Sequence, residues 1–214
     1  MKPWRTRAWP LAALALGGLA LAPAVAAAQT RSAACVTANN TVTQFRLGKD
    51  RAGRPNRVDL PRAVAAGDAA VRQCRSDDLF LLAYALARID LSADAKRSTP
   101  AQRTRLFNAA LADLEQLKTK VLAGKSDRYE VFNILGLIYY DTGQLDRSLA
   151  ALNAGVPLLP RMTAASRQKT LLTLGMAQAR VGQPAKAATA FDLAAKNGHP
   201  QAQAIKRQML GSAK

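Results

Sequence analysis

A chain with a single histidine has few routes to catalysis. That residue is His199, placed immediately before Pro200. A nucleophilic triad or an imidazole-ligated metal would have to use it, and neither cysteine lies near it in sequence. A helix-end or turn residue is the simpler role. The two glutamates, Glu115 and Glu130, fall in two successive helical segments. Asp77 and Asp78 are adjacent carboxylates, but they precede the strongly apolar run Leu79 to Ile89. At such a helix start they satisfy free N–H groups and complement the dipole, which accounts for them without acid–base chemistry. No phosphate-cradling Gly-rich loop, nucleophile elbow or H-E-x-x-H run occurs. No metal, cofactor or enzymatic activity is expected.

Cys35 and Cys74 are the only cysteines. In an oxidising compartment an even pair reads as one disulfide. Closing a loop of roughly 40 residues, it would contribute about 4 kcal/mol in the chain-entropy model. It would also tether the amino-terminal segment to the first helix.

Export is indicated independently. Lys2, Arg5 and Arg7 form a basic start, no charge follows until Arg31, and Leu11 to Leu21 is apolar apart from Gly17 and Gly18. Ala24, Ala26 and Ala28 supply the small-residue pattern read by a signal peptidase, so residues 1–28 are expected to leave after Ala28. The alternatives are an uncleaved anchor, made poor by Pro23, and lipidation of Cys35 at Ser32-Ala33-Ala34-Cys35. The mature chain is expected to be periplasmic or secreted, with no transmembrane segment.

The formal charge is +17, falling to +14 once Lys2, Arg5 and Arg7 leave with no acidic residue among them. Arg46, Lys49, Arg51, Arg54, Arg57 and Arg62 concentrate part of that excess against Asp50 and Asp59. Such a patch suits an anionic envelope polymer: a polysaccharide, lipopolysaccharide or an anionic membrane face. The competing reading is a solvated surface enriched in Arg by base composition. Nucleic acid is not expected, because stacking aromatics are absent beyond Phe45.

Residues 29–60 read as an arm. Val36, Thr37, Thr41, Val42, Thr43 and Phe45 favour extended structure, and Gly48, Gly53, Pro55 and Asn56 interrupt it. From Asp59 and Pro61 the pattern turns helical and stays so to the end, giving one domain over 61–214. Ala63, Val64, Ala66, Ala70, Val71 and Cys74 recur at helical spacing, as do Leu106, Ala110, Leu114, Leu117 and Val121 before Gly124.

Within that domain, Tyr129 to Pro160 carries Phe132, Leu135, Gly136, Tyr139, Gly143, Ser148, Leu152, Gly155 and Pro160. This spacing resembles a tetratricopeptide repeat, with Leu152 where an aromatic is commoner. Leu171, Leu174, Gly175, Gly182, Ala187, Phe191 and Ala194 occupy the same places in a second unit, with Gln178 standing where Tyr is expected. Gly175 follows Gly136 by 39 residues instead of 34, an insertion around Arg161 to Ala165. The stretch Ala194 to His199 with Ala202-Gln203 is similar to the close of a SEL-type repeat. A degenerate earlier unit fits Leu79, Leu82, Ala83 and Leu86 with Ala110, Leu114 and Leu117, and Gln201 to Leu210 would cap the stack.

The resemblance implies an all-α fold, a short α-solenoid of antiparallel helical hairpins, which would follow the irregular or short-β arm read from residues 29–60. It also implies a partner-binding groove on the first helices of the repeats: Glu130, Asn133, Leu137, Tyr140 and Asp141, then Lys169, Leu172, Met176, Ala179 and Arg180. Apolar centres with charged flanks suit a peptide or protein partner. A periplasmic scaffold or adaptor in envelope assembly is therefore the expected function, with binding of an anionic envelope polymer as the alternative.

Overall fold

The computed structural model describes residues 31–49 and 57–211. The expected signal segment and the expected cut after Ala28 lie outside them. Among the described residues the chain is all-helical and without strands: α1 (Ala33–Leu47), α2 (Leu60–Cys74), α3 (Asp78–Ala93), α4 (Pro100–Leu122), α5 (Glu130–Asp141), α6 (Leu145–Gly155), a 3-10 turn (Val156–Arg161), α7 (Ala164–Arg180), α8 (Pro184–Lys196) and α9 (Ala202–Leu210).

Local chemistry sets many of these boundaries. Asp59 accepts from the Arg62 N–H, with Pro61 in the first turn of α2. Asp77 caps α3 by accepting from the Phe80 N–H, so one of the paired carboxylates performs the capping role. Asp78 instead receives Lys120 Nζ at 2.6 Å, joining α3 to α4. Thr99 and Gln102 close a reciprocal capping box on α4. Gly143 and Gly182 turn the chain between α5 and α6 and between α7 and α8 at φ +75° and +74°, where a side chain would be strained.

The amino-terminal segment corrects the sequence expectation. Ala33–Leu47 is a helix instead of an irregular or extended arm, opened by the Ser32 side chain and ended by Gly48 at φ +62°. Its buried residues are Cys35, Asn39, Val42 and Arg46, a helical stripe in which two of four members are polar. Cys35 is bonded to Cys74 of α2 with a Cα–Cα distance of 5.4 Å, and no free cysteine remains. The helix penalty of Val and Thr is only a few tenths of a kcal/mol per residue. Docking and the covalent tie outweigh it.

Packing follows chain order. α1 packs on both α2 and α3 around Val42, Val64, Phe80 and Tyr84. α3 pairs with α4, and α5 closes on them over Leu114, Leu117, Phe132 and Leu135. α7 then packs against both α5 and α6, α8 against α7, and α9 against α8 and α7. No helix among the described residues is long and apolar enough to cross a membrane.

Candidate functional site

The hairpins α5–α6 and α7–α8 share one internal geometry. A Cβ on Gly136 would lie 2.5 Å from Leu152 Cγ, and a Cβ on Gly175 would lie 2.9 Å from the Phe191 ring. Both glycines are helical, so their service is close approach and not a special φ. In each hairpin the opposing large side chain comes sixteen residues after the glycine, and the turn glycine seven after it. The Ser148 hydroxyl adds a buried bond to the Gly136 carbonyl at 2.7 Å. The first helices of the two hairpins, α5 and α7, also pack against each other.

This packing divides the ten groove candidates. Asn133 is 5% exposed and accepts from Thr173 Oγ1 at 3.0 Å, which joins α5 to α7. Met176 is buried with Ala187 and Phe191. Both serve packing. Tyr140, Leu172 and Ala179 are half-buried and pack against the same cluster, as do Ile205, Met209 and Leu210 of α9, making a partly open apolar strip. Arg180 and Asp141 are exposed at one end. The Arg180 guanidinium lies 4.8 Å from the Tyr140 ring centroid and donates to the Tyr140 carbonyl at 3.2 Å. Leu137 is half-buried on α5. Burial pushes the Glu130 carboxyl up, with Arg128 opposing it, and pushes the Lys169 ammonium down. Desolvation of both groups weakens them as bare charges.

The basic patch disperses. Arg46 is 8% exposed, and its Nε lies 2.6 Å from Asp90 Oδ2 on α3. Arg62 stacks over Phe45 at 4.4 Å from the ring centroid. Lys49 and Arg57 are exposed, whereas Arg51 and Arg54 lie outside the described residues. The sequence places Arg46 among surface charges. The fold uses it as an internal counter-ion.

The chemistry-bearing residues are similarly occupied. His199 Nδ1 accepts from the Gln201 N–H at 3.2 Å, and burial with the nearby Lys169 charge lowers its pKa. Glu115 accepts from the Tyr139 hydroxyl at 2.6 Å and pairs with Lys118. No group of three His, Cys, Asp or Glu side chains among the described residues could hold a metal ion.

Two features escape sequence reasoning. Arg147 stacks 4.2 Å from the Tyr139 ring centroid and donates to its hydroxyl at 2.7 Å, so Tyr139 links α4, α5 and α6. Apart from the groove candidates, none of which lines it, Gln178 borders a cleft of about 260 Å³ between the 3-10 turn, α7 and α8. Its only sequence signal is a Gln where the repeat pattern expects Tyr.

Neither a family model, nor a curated protein, nor a solved structure matches this chain.

Proposed function

We propose that this chain is an exported scaffold or adaptor of tetratricopeptide type, holding a protein or peptide partner on the face formed by α5 and α7. The reading rests chiefly on one feature: the half-buried strip of Tyr140, Leu172 and Ala179, flanked by Asp141 and Arg180. An apolar strip with charged ends suits an amphipathic segment, whose side chains anchor in the strip while its charges fix register. The matching close approaches in the two hairpins support the repeat reading. The Cys35–Cys74 disulfide is compatible with an oxidising compartment and hence with export. Among the former groove candidates, Glu130, Leu137, Tyr140, Asp141, Lys169, Leu172, Ala179 and Arg180 remain on this proposed surface.

Binding of an anionic envelope polymer is the second reading and rests on the mature charge of +14. Its local support is thinner, since Arg46 is spent on Asp90 and Arg62 stacks on Phe45.

A pull-down from an envelope extract with the oxidised mature chain separates the two. Raising salt to about 1 M shortens the screening length to about 3 Å, which releases partners held by exposed charge. A discrete protein retained through that wash and lost with Leu137→Asp supports the adaptor reading. Release of everything at high salt, with carbohydrate or lipid in the eluate, supports the polymer. Retention unaffected by Leu137→Asp and Arg180→Glu would refute the assigned face.

A further inference from the structure

The cleft beside Gln178 is a vacancy that the preceding hairpin fills. Three residues after Gly136, the Tyr139 side chain is 1% exposed, and its hydroxyl sits between the Glu115 carboxylate and the Arg147 guanidinium. Three residues after Gly175 comes Gln178, and Lys186 follows Gly175 by eleven residues, as Arg147 follows Gly136. The cation and the polar position are thus kept in α7–α8. The ring is gone, and no acidic side chain lines the cleft.

The space left is two-ended. Leu159 packs against Leu171 and Ala194 at the 3-10 turn, so Val156, Leu159, Leu171 and Leu193 form an apolar end. Gln178 and Lys186 lie toward the α7–α8 turn and form the polar end. Leu171 and Gln178 are seven positions apart on α7, about 10 Å at a rise of about 1.5 Å per residue. Val156 and Leu193 are exposed, although both are large hydrophobics. Gln178 is 8% exposed, and its Oε1 has no hydrogen-bond partner.

We infer that this cleft binds a small anionic amphiphile, an apolar body of roughly ten heavy atoms ending in a carboxylate. Such a ligand replaces the two groups that the preceding hairpin supplies from within, Tyr139's ring and Glu115's carboxylate. The apolar body lies along Leu171 and Leu193. The carboxylate meets the Lys186 ammonium, and the Gln178 side-chain amide, which also lines the cleft, offers it N–H donors. The cleft's volume, just below the usual lower bound of about 300 Å³ for ligand pockets, favours a compact ligand over a long lipid chain. None of the proposed partner-face residues lines the cleft, and the site does not depend on that face.

Octanoate is the probe, titrated into the oxidised mature chain by calorimetry, with octanol as the neutral comparison. Saturable one-to-one binding is expected, with octanol at least tenfold weaker. Gln178→Tyr refills the cleft and is expected to weaken octanoate at least tenfold. Lys186→Glu, on the exposed face of α8, should do the same without touching the core. Lys96→Glu, exposed on the α3–α4 connection, should leave binding unchanged. No saturable octanoate binding overturns the inference. So does equal binding by Gln178→Tyr and Lys186→Glu, or an equal loss with Lys96→Glu, which would mark general attraction to a basic protein. Saturation by an acidic amphipathic peptide but not by octanoate would also overturn it.

Discussion

Gly136→Ala tests whether the α5–α6 hairpin owes its spacing to a missing side chain. The new methyl would sit 2.5 Å from Leu152 Cγ and Cδ2, well inside van der Waals contact. Leu152 is fully buried, and Cγ is not the mobile end of its side chain, so the helices or the leucine must shift. Overpacking of this sort costs about 1–3 kcal/mol. Replacing a helical Gly by Ala returns about 1 kcal/mol. The net expectation is a loss of about 1 kcal/mol. Leu152→Ala alone opens a void and should cost about 3 kcal/mol. In the double variant the clash is gone while the helical gain remains, which gives a loss of about 2 kcal/mol. Independent sites would instead give about 4, so the coupling is about 2 kcal/mol, far above the additivity error of about 0.5. Urea unfolding of all four proteins, with the disulfide intact, measures it. Additivity within that error, or stabilisation by Gly136→Ala alone, would refute the close-approach argument.

Reduction of Cys35–Cys74, or Cys35→Ser with Cys74→Ser, should lower unfolding stability by about 4 kcal/mol for a closed loop of this length, measured by denaturant titration with and without reductant. Arg46→Ala leaves the Asp90 carboxylate without its partner and should cost about 3 kcal/mol, whereas Lys49→Ala, on the surface, should stay within about 0.5 by the same titration. At Glu115 burial raises the carboxyl pKa, but hydrogen bonds from Lys118 and Tyr139 outweigh it and leave it below the ordinary value. The folded chain therefore takes up this proton less readily than the unfolded one. Its stabilising contribution is present above the unfolded pKa and is lost as pH falls through the carboxylate range. Subtracting the stability–pH curve of Glu115→Gln from that of the unmodified chain should isolate a loss on the acid side, and a flat difference would contradict it. Tyr139→Phe removes the hydroxyl shared by Glu115 and Arg147 and should cost about 1–2 kcal/mol in thermal or urea unfolding.

Helix boundaries and the glycine positions were written locally. Asp59 and Asp77 carry side-chain oxygens that satisfy free N–H groups wherever a helix begins, so their identity marked α2 and α3, and Thr99 does the same for α4 in the structure. The disulfide was legible because two cysteines admit one pairing. What the sequence could not decide is what each charge and each β-branched residue meets. The segment Ala33–Leu47 shows this best. Its buried stripe includes Asn39 and Arg46, so it carries no apolar periodicity to read, and it is helical because α2, α3 and a covalent bond hold it there. Arg46 looked like one more surface cation until Asp90, 44 residues away, was brought beside it. Asn133 moved from groove to packing because α7 lies against α5, and Met176 because α8 folds back on α7, relations absent from any one helix alone. Gln178 sits between the two regimes. The sequence showed a glutamine where the repeat pattern has tyrosine, and the tertiary structure leaves a cleft beside it among the described residues. Local capping and backbone chemistry are fixed by neighbours a few residues away, whereas burial and charge pairing depend on groups brought together only when the helices pack.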